Sequence, residues 1–195
     1  MLSYRHAFHA GNHADVFKHT FLVMLLERFN AKETPYTVID THAGSARYDL
    51  NDERALKTLD AQSGILKLLE AARYVQEVPS SDRGQPVPKL SLISRDDLQP
   101  SHKSSESVFR ELRSRECRSD FIDFQKYLRF AKACLDAGFY PGSPEIERAF
   151  MRTKDCLILS ELHPDEIGAL QRNMRLNAAT AENAPAVHIH HRDGF

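Results

Sequence analysis

YTVIDTHAGSARY, residues 36–48, is the stretch from which this chain is best read. Tyr36, Val38 and Ile39, with Thr37 between them, are β-formers in a short continuous block, the pattern of a strand covered on both faces. Pro35 marks its start. Beyond Asp40 come Thr41, His42, Ala43, Gly44 and Ser45, small or polar apart from the histidine, so the backbone can approach a bound molecule closely. In open α/β sheets, ligands sit in the crevice beyond the carboxyl ends of the strands. The G-x-G-x-x-G pattern is absent, so the loop alone suits a nucleotide-like ligand and an ordinary strand-to-loop turn equally.

Two later stretches repeat the design. CLILS at 156–160 reads as a buried strand ending in Glu161, and AVHIH at 186–190 as a third that runs into His191, Arg192, Asp193, Gly194 and Phe195. A helix at 164–177, with Ile167, Leu170 and Met174 on its buried face, separates them, as a parallel βαβ unit requires. Asp40, Glu161 and Asp193 therefore form a line of carboxylates along one sheet edge, suited to the hydroxyls and amino groups of a nucleoside. NAD(P) fits less well, because the phosphate-cradling glycines are missing. FYPGSP at 139–144 is a tight turn, with Ser143 an N-cap candidate and Pro144 opening a helix to about 153. Free N–H groups at that helix start favour an anionic ligand group, although capping alone also accounts for the residues.

The rest of the chain is mostly helical in pattern. Residues 13–30 form a largely buried helix with Val16, Phe17, Thr20, Phe21, Met24, Leu25 and Arg28 on its stripe, broadened by Val23, Leu26 and Phe29. His6, His9, His13 and His19 raise the question of zinc, but no cysteine or carboxylate completes a recognised pattern; polar contacts to a ligand suit them better, and no metal site is expected. Helices follow at 53–61, 64–78, 107–115 and 121–137, interrupted at 79–105 by a surface insertion with four prolines and seven serines. Eight Lys/Arg against five Asp/Glu between Lys103 and Lys132 form either a nucleic-acid contact or a solvated helix face.

With 195 residues, 42% of them apolar, and net charge −1, the chain suits one domain with an insertion, and a nucleic-acid partner must be met by a local basic patch. Cys117, Cys134 and Cys156 match neither a disulfide framework nor a zinc site, which points to a reducing compartment. No apolar run approaches the ~20 residues that span a bilayer, so no membrane partner is expected. The G-x-S-x-G elbow, the G-x-x-x-x-G-K-[ST] phosphate loop and the H-E-x-x-H pair are all absent.

LSYRHAFHAGNHADVFKHT at 2–20, DTHAG at 40–44, YPGSP at 140–144, ELHP at 161–164 and DGF at 193–195 together resemble the RlmJ family, S-adenosylmethionine-dependent methyltransferases acting on an adenine N6 of large-subunit (23S) rRNA. The resemblance implies an α/β, Rossmann-like class I methyltransferase fold. Residues 1–50 and 138–195 would be its cofactor-binding domain and 51–137 a helical insertion. It implies that His19, His42, Ser143, Glu161, Asp193 and Gly194 contact S-adenosyl-L-methionine or its product S-adenosyl-L-homocysteine. Tyr4 would engage the rRNA substrate, and the location would be cytoplasmic, or within an organelle. Such enzymes carry a catalytic D-P-P-Y motif after the next strand, which this sequence lacks. No residue is therefore assigned a catalytic role, and the chain alone is expected to be inactive. In that fold the strand bearing the motif pairs with the strand at 36–40, so the sheet is expected to be incomplete. A truncated copy, or pairing of that edge with another chain, would account for it. The rival reading is a non-catalytic nucleic-acid-binding module, and the family's connection with use of external DNA keeps a DNA-related role open.

Overall fold

The structure, a computed structural model, describes residues 5–77, 115–176 and 184–194. Tyr4, Phe195, the insertion at 79–105 and most of the helix expected at 107–115 lie outside them. Helix α1 (His13–Asn30) leads into strand β1 (Thr37–Asp40), then β2 (Arg47–Tyr48), α2 (Glu53–Thr58) and α3 (Lys67–Glu77). After the gap come α4 (Arg115–Asp136), β3 (Tyr140–Pro141), α5 (Ser143–Phe150), β4 (Cys156–Glu161), α6 (Pro164–Leu176) and β5 (Ala186–His191). Strands β1, β4 and β5 form a parallel sheet in that order, with Asp40 opposite Leu159 and Glu161 opposite His191. This is the Rossmann-like α/β arrangement, its sheet limited to three strands among the described residues, and the segments described between 51 and 137 are helical. The minor antiparallel pair β2–β3 was not foreseen. It ties the loop after β1 to the YPGSP turn, with Arg47 opposite Pro141 and Tyr48 opposite Tyr140.

The core lies on one side of the sheet. Leu157 and Leu159 of β4 pack with Val23 and Leu26 of α1, Tyr127 and Ala131 of α4, Ile146 of α5, and Ile167, Leu170 and Met174 of α6. Val38 of β1 and Val187 and Ile189 of β5 border the same core. The alternate residues point the other way. Thr37 and Ile39 are exposed, so the expectation that β1 is covered on both faces fails for that face.

Helix α1 also departs from its expected stripe. Asp15, His19, Val23 and Leu26 face inward, whereas Phe17, Phe21, Leu25 and Phe29 are exposed. The cause is visible in its composition: apolar residues surround the helix, so periodicity cannot choose a face, and two polar groups with buried partners decide it. Asn12 caps this helix, its side-chain oxygen accepting from Asp15 N at 2.9 Å. At α5 the cap is Gly142 rather than Ser143, which becomes the first helical residue with Pro144 behind it. The end of the helix expected at 53–61 is also redrawn. Leu59 adopts a left-handed conformation and a π-helical turn at Gln62–Leu66 precedes α3. Within that turn Gly64 approaches Gly11 so closely that an added Cβ would lie 2.1 Å from the Gly11 carbonyl oxygen. Ile65 N donates to that same oxygen at 2.9 Å, locking the N-terminal segment over the fold.

Candidate functional site

The three parallel strands release their chains at one end of the sheet, and the loops there are cross-tied. Gly44, at φ +60°, donates its N–H to Glu161 Oε2 at 2.8 Å, and His163 N donates to Glu161 Oε1 at 2.7 Å. Ala43 N donates to Ser160 O at 3.1 Å, and Arg192 N to Glu161 O at 3.2 Å. Gly194 lies against Thr41, where an added Cβ would sit 2.3 Å from a backbone oxygen. Gly142 N donates to Ala46 O at 2.7 Å, which brings the start of α5 to the same place.

Asp40 stands behind this layer. Its Oδ1 accepts from His42 N at 2.9 Å and its Oδ2 from Ser143 Oγ at 2.7 Å, so it positions two of the expected contacts and does not itself line the cavity. The expected line of three carboxylates thus becomes two at the cavity, Glu161 and Asp193, with one in support. Glu147, buried in α5, carries an acid whose pKa is pushed well above the ordinary carboxylate range, first by burial and then by the charge of Asp40.

The opposite wall comes from the N-terminal segment. His19 Nδ1 lies 3.1 Å from Tyr140 Oη, which lies 3.0 Å from Tyr127 Oη. Burial lowers the His19 pKa to about 4 against the pull of Asp15, so the ring is neutral at pH 7. Asp15 is itself fully buried. Its Oδ2 accepts from Gly11 N at 2.9 Å and meets His6 Nε2 at 2.9 Å. Lys18 Nζ lies 3.0 Å from Oδ1 as an ion pair, off the line a hydrogen bond needs. Burial works to raise the Asp15 pKa, but the His6 hydrogen bond and the charges of His6 and His19 outweigh it, and the carboxyl is held below its usual range.

All of this encloses a cavity of about 640 Å³. His19, His42, Ser143, Glu161, Asp193 and Gly194, the six residues expected to contact a cofactor, all line it. So do His6, one of the histidines for which ligand contacts were expected, and Lys18, Tyr48 and Glu166, which were not singled out as ligand contacts. A signal for Lys18 was present: helical spacing places Asp15, Lys18 and His19 on one side of α1, so a buried acid there draws a basic partner to the site. Of the N-terminal histidines, His6 pairs with Asp15 and His9 with Asp60, each at 2.9 Å, and no group of three potential metal ligands gathers among the described residues. The described part of the basic stretch is partly neutralised, with Lys126 at 2.6 Å from Glu27 and Lys132 at 2.5 Å from Asp136.

Comparison with known proteins gives the same direction. The family model described as ribosomal RNA large subunit methyltransferase D, RlmJ, matches residues 33–80 and 99–195. The ribosomal RNA large subunit methyltransferase J of Escherichia coli is 33% identical over 174 residues, covering 88% of this chain and 46% of that protein. Its counterpart from Haemophilus influenzae is 31% identical over 180 residues, covering 89% and 47%. A crystal structure of a protein from Legionella pneumophila superposes with TM-score 0.60 at 25% identity, over 95% of this chain and 50% of that one. The chain spans about half the length of the curated relatives it matches.

Proposed function

The chain belongs to the RlmJ family, and on that premise we propose that it is the S-adenosylmethionine-binding part of a cytoplasmic methyltransferase that acts on adenine N6 of large-subunit (23S) rRNA. The observation that carries this reading is the convergence of His19, His42, Ser143, Glu161, Asp193 and Gly194 on one cavity at the carboxyl ends of three parallel strands.

The residues fit such a cofactor. Each Glu161 oxygen accepts one backbone N–H and keeps a lone pair, so the carboxylate can accept hydrogen bonds from ribose hydroxyls. Asp193 and Gly194 would meet the adenine, where the lack of a side chain at Gly194 leaves a flat approach. Ser143 and His42, both held by Asp40, would border the amino-acid end. His19 keeps Nδ1 on Tyr140 and, being neutral, adds no positive charge beside a sulfonium. The cofactor would supply the electrophilic methyl group, and these residues would bind and orient it. Tyr4, outside the described residues, is proposed as the rRNA contact. The target adenine would be unpaired or flipped, since its amino group is out of reach within a stacked duplex.

Transfer itself needs a group to hold the adenine amino nitrogen, and the sequence contains no D-P-P-Y. The 195-residue chain alone is therefore predicted to bind S-adenosylhomocysteine yet methylate nothing. Calorimetric titration of the folded chain with S-adenosylhomocysteine should give a saturable, one-site heat that Glu161→Ala weakens by about tenfold or more, the worth of one charge-assisted hydrogen bond. Absence of heat from well-folded protein would overturn the assignment. RNA binding that collapses with salt and ignores the cofactor would instead favour a simple nucleic-acid-binding module.

A further inference from the structure

His19 reaches the cavity with one ring nitrogen already engaged inside the protein. Its Nδ1 lies 3.1 Å from Tyr140 Oη, which in turn lies 3.0 Å from Tyr127 Oη on α4. The imidazole is neutral at pH 7, because burial lowers its pKa to about 4 against the pull of Asp15, with the charges of His6 and Lys18 acting in the same direction as burial. One ring nitrogen therefore bears a hydrogen and the other a lone pair. Which is which follows from the two tyrosines. Both are fully buried, where an O–H left without an acceptor costs its full desolvation.

Suppose that Nδ1 bore the hydrogen and donated to Tyr140. Either Tyr140 then donates to Tyr127 and the Tyr127 hydrogen has no acceptor, or Tyr127 also donates to Tyr140 and the Tyr140 hydrogen has none. Asp15 relieves neither case: its Oδ2 accepts from Gly11 N and meets His6 Nε2, and its Oδ1 makes no hydrogen bond among the described residues. The reverse direction, Tyr127 O–H to Tyr140 Oη and Tyr140 O–H to His19 Nδ1, satisfies both hydroxyl hydrogens. It leaves the ring hydrogen on Nε2, the nitrogen that remains for the cavity. The ring is held in this orientation between two others, with centroids 5.8 Å from Tyr140 and 6.0 Å from Tyr127. Tyr140 is placed in turn by strand pairing with Tyr48, itself a cavity residue.

We propose that Tyr140 is a positioning residue for the cavity: its phenol donates to His19 Nδ1 and so holds the imidazole in the Nε2–H form, which presents a fixed N–H donor to an acceptor atom of the ligand. His19 is then a binding group and not a base, since Nε2 already bears its hydrogen and Nδ1 is closed off by Tyr140. Tyr127 steadies the Tyr140 oxygen but does not choose the direction, because without it the Tyr140 hydrogen still has Nδ1 as its acceptor. The tautomer stands on the buried hydrogen bonds, while the ligand contact rests on the cofactor reading.

The test is a two-bond proton–nitrogen spectrum of the isotopically labelled full chain at pH 7, with the His19 ring assigned through its bonds to the backbone. A single Nε2–H form is expected in the chain and in Tyr127→Phe, and a mixture of the two neutral forms in Tyr140→Phe. Saturation with S-adenosylhomocysteine should leave the Nε2–H form in place and slow the exchange of that hydrogen with water. Tyr140→Phe should weaken S-adenosylhomocysteine binding by about fivefold, the worth of one neutral hydrogen bond, and Tyr127→Phe by about twofold or less. The two variants each remove one hydroxyl from the same buried chain, so a loss of packing alone would affect both alike. An Nδ1–H form in the free chain, an unchanged spectrum in Tyr140→Phe, a switch to Nδ1–H on saturation, or equal losses of affinity in the two variants would each overturn the proposal. The free-chain spectra decide the tautomer without any ligand, so absence of heat with S-adenosylhomocysteine counts against the cofactor reading alone.

Discussion

Two glycines hold the site's loops where no side chain fits. At Gly44 the backbone is left-handed and an added Cβ would fall 2.2 Å from Tyr48 Oη; at Gly194 it would strike the Thr41 backbone. Gly44→Ala and Gly194→Ala should each weaken S-adenosylhomocysteine binding by about tenfold or more, while costing only about 1–2 kcal/mol of stability, because the strain falls on loops rather than on the core. Titration and denaturant unfolding of each variant check the two halves of that statement. His19 makes the pH dependence specific. Its pKa is near 6.5 when unfolded and lowered to about 4 by burial in the fold, so between those values the unfolded chain holds a proton that the folded chain does not. Stability is therefore complete above pH 6.5 and is lost as the pH falls toward 4, by about 3 kcal/mol from this ring. Asp15, with its depressed pKa, adds a loss only in stronger acid. His19→Gln should flatten the slope between pH 6.5 and 4 in unfolding measurements. Of these residues His42, Glu161 and Asp193 were legible from strand ends, whereas the inward turn of Asp15 was not, since a buried carboxylate is recognised only by the partners that neutralise it.

Among the elements, α1 shows where pattern reading stops. Its length and start were readable from periodicity, but the face was not, because a helix apolar on all sides has no preferred stripe. The structure separates two sets that look alike in sequence. Leu26→Ala, at 1% exposure, should cost about 2–5 kcal/mol, while Phe21→Ala, at 53%, should cost about 1 kcal/mol or less in the chain alone. Equal costs would contradict the observed orientation. The pair β2–β3 escaped the sequence reading for a different reason: two-residue strands carry no alternation to detect, and Tyr48 and Tyr140 reveal their role only through the buried contacts that close the cavity.

At the scale of the molecule, three short strands, each ending at one edge, were enough to predict a parallel sheet with its ligand crevice, because an apolar run that turns into acids and small residues has few other uses. The relation between this sheet and its surroundings was less legible, since a strand reads as buried from its residues whether or not both of its faces are covered. The central claim is that the crevice between the β1, β4 and β5 loops binds S-adenosylmethionine and its product. Its most direct test is a two-dimensional amide spectrum of the isotopically labelled chain during titration with S-adenosylhomocysteine, read at the glycines. Gly44, Gly142 and Gly194 line the cavity and should shift in a saturable way, while Gly138, which lies outside it, should stay in place. Glycine signals that do not move, or that move first at Gly138, would contradict the account.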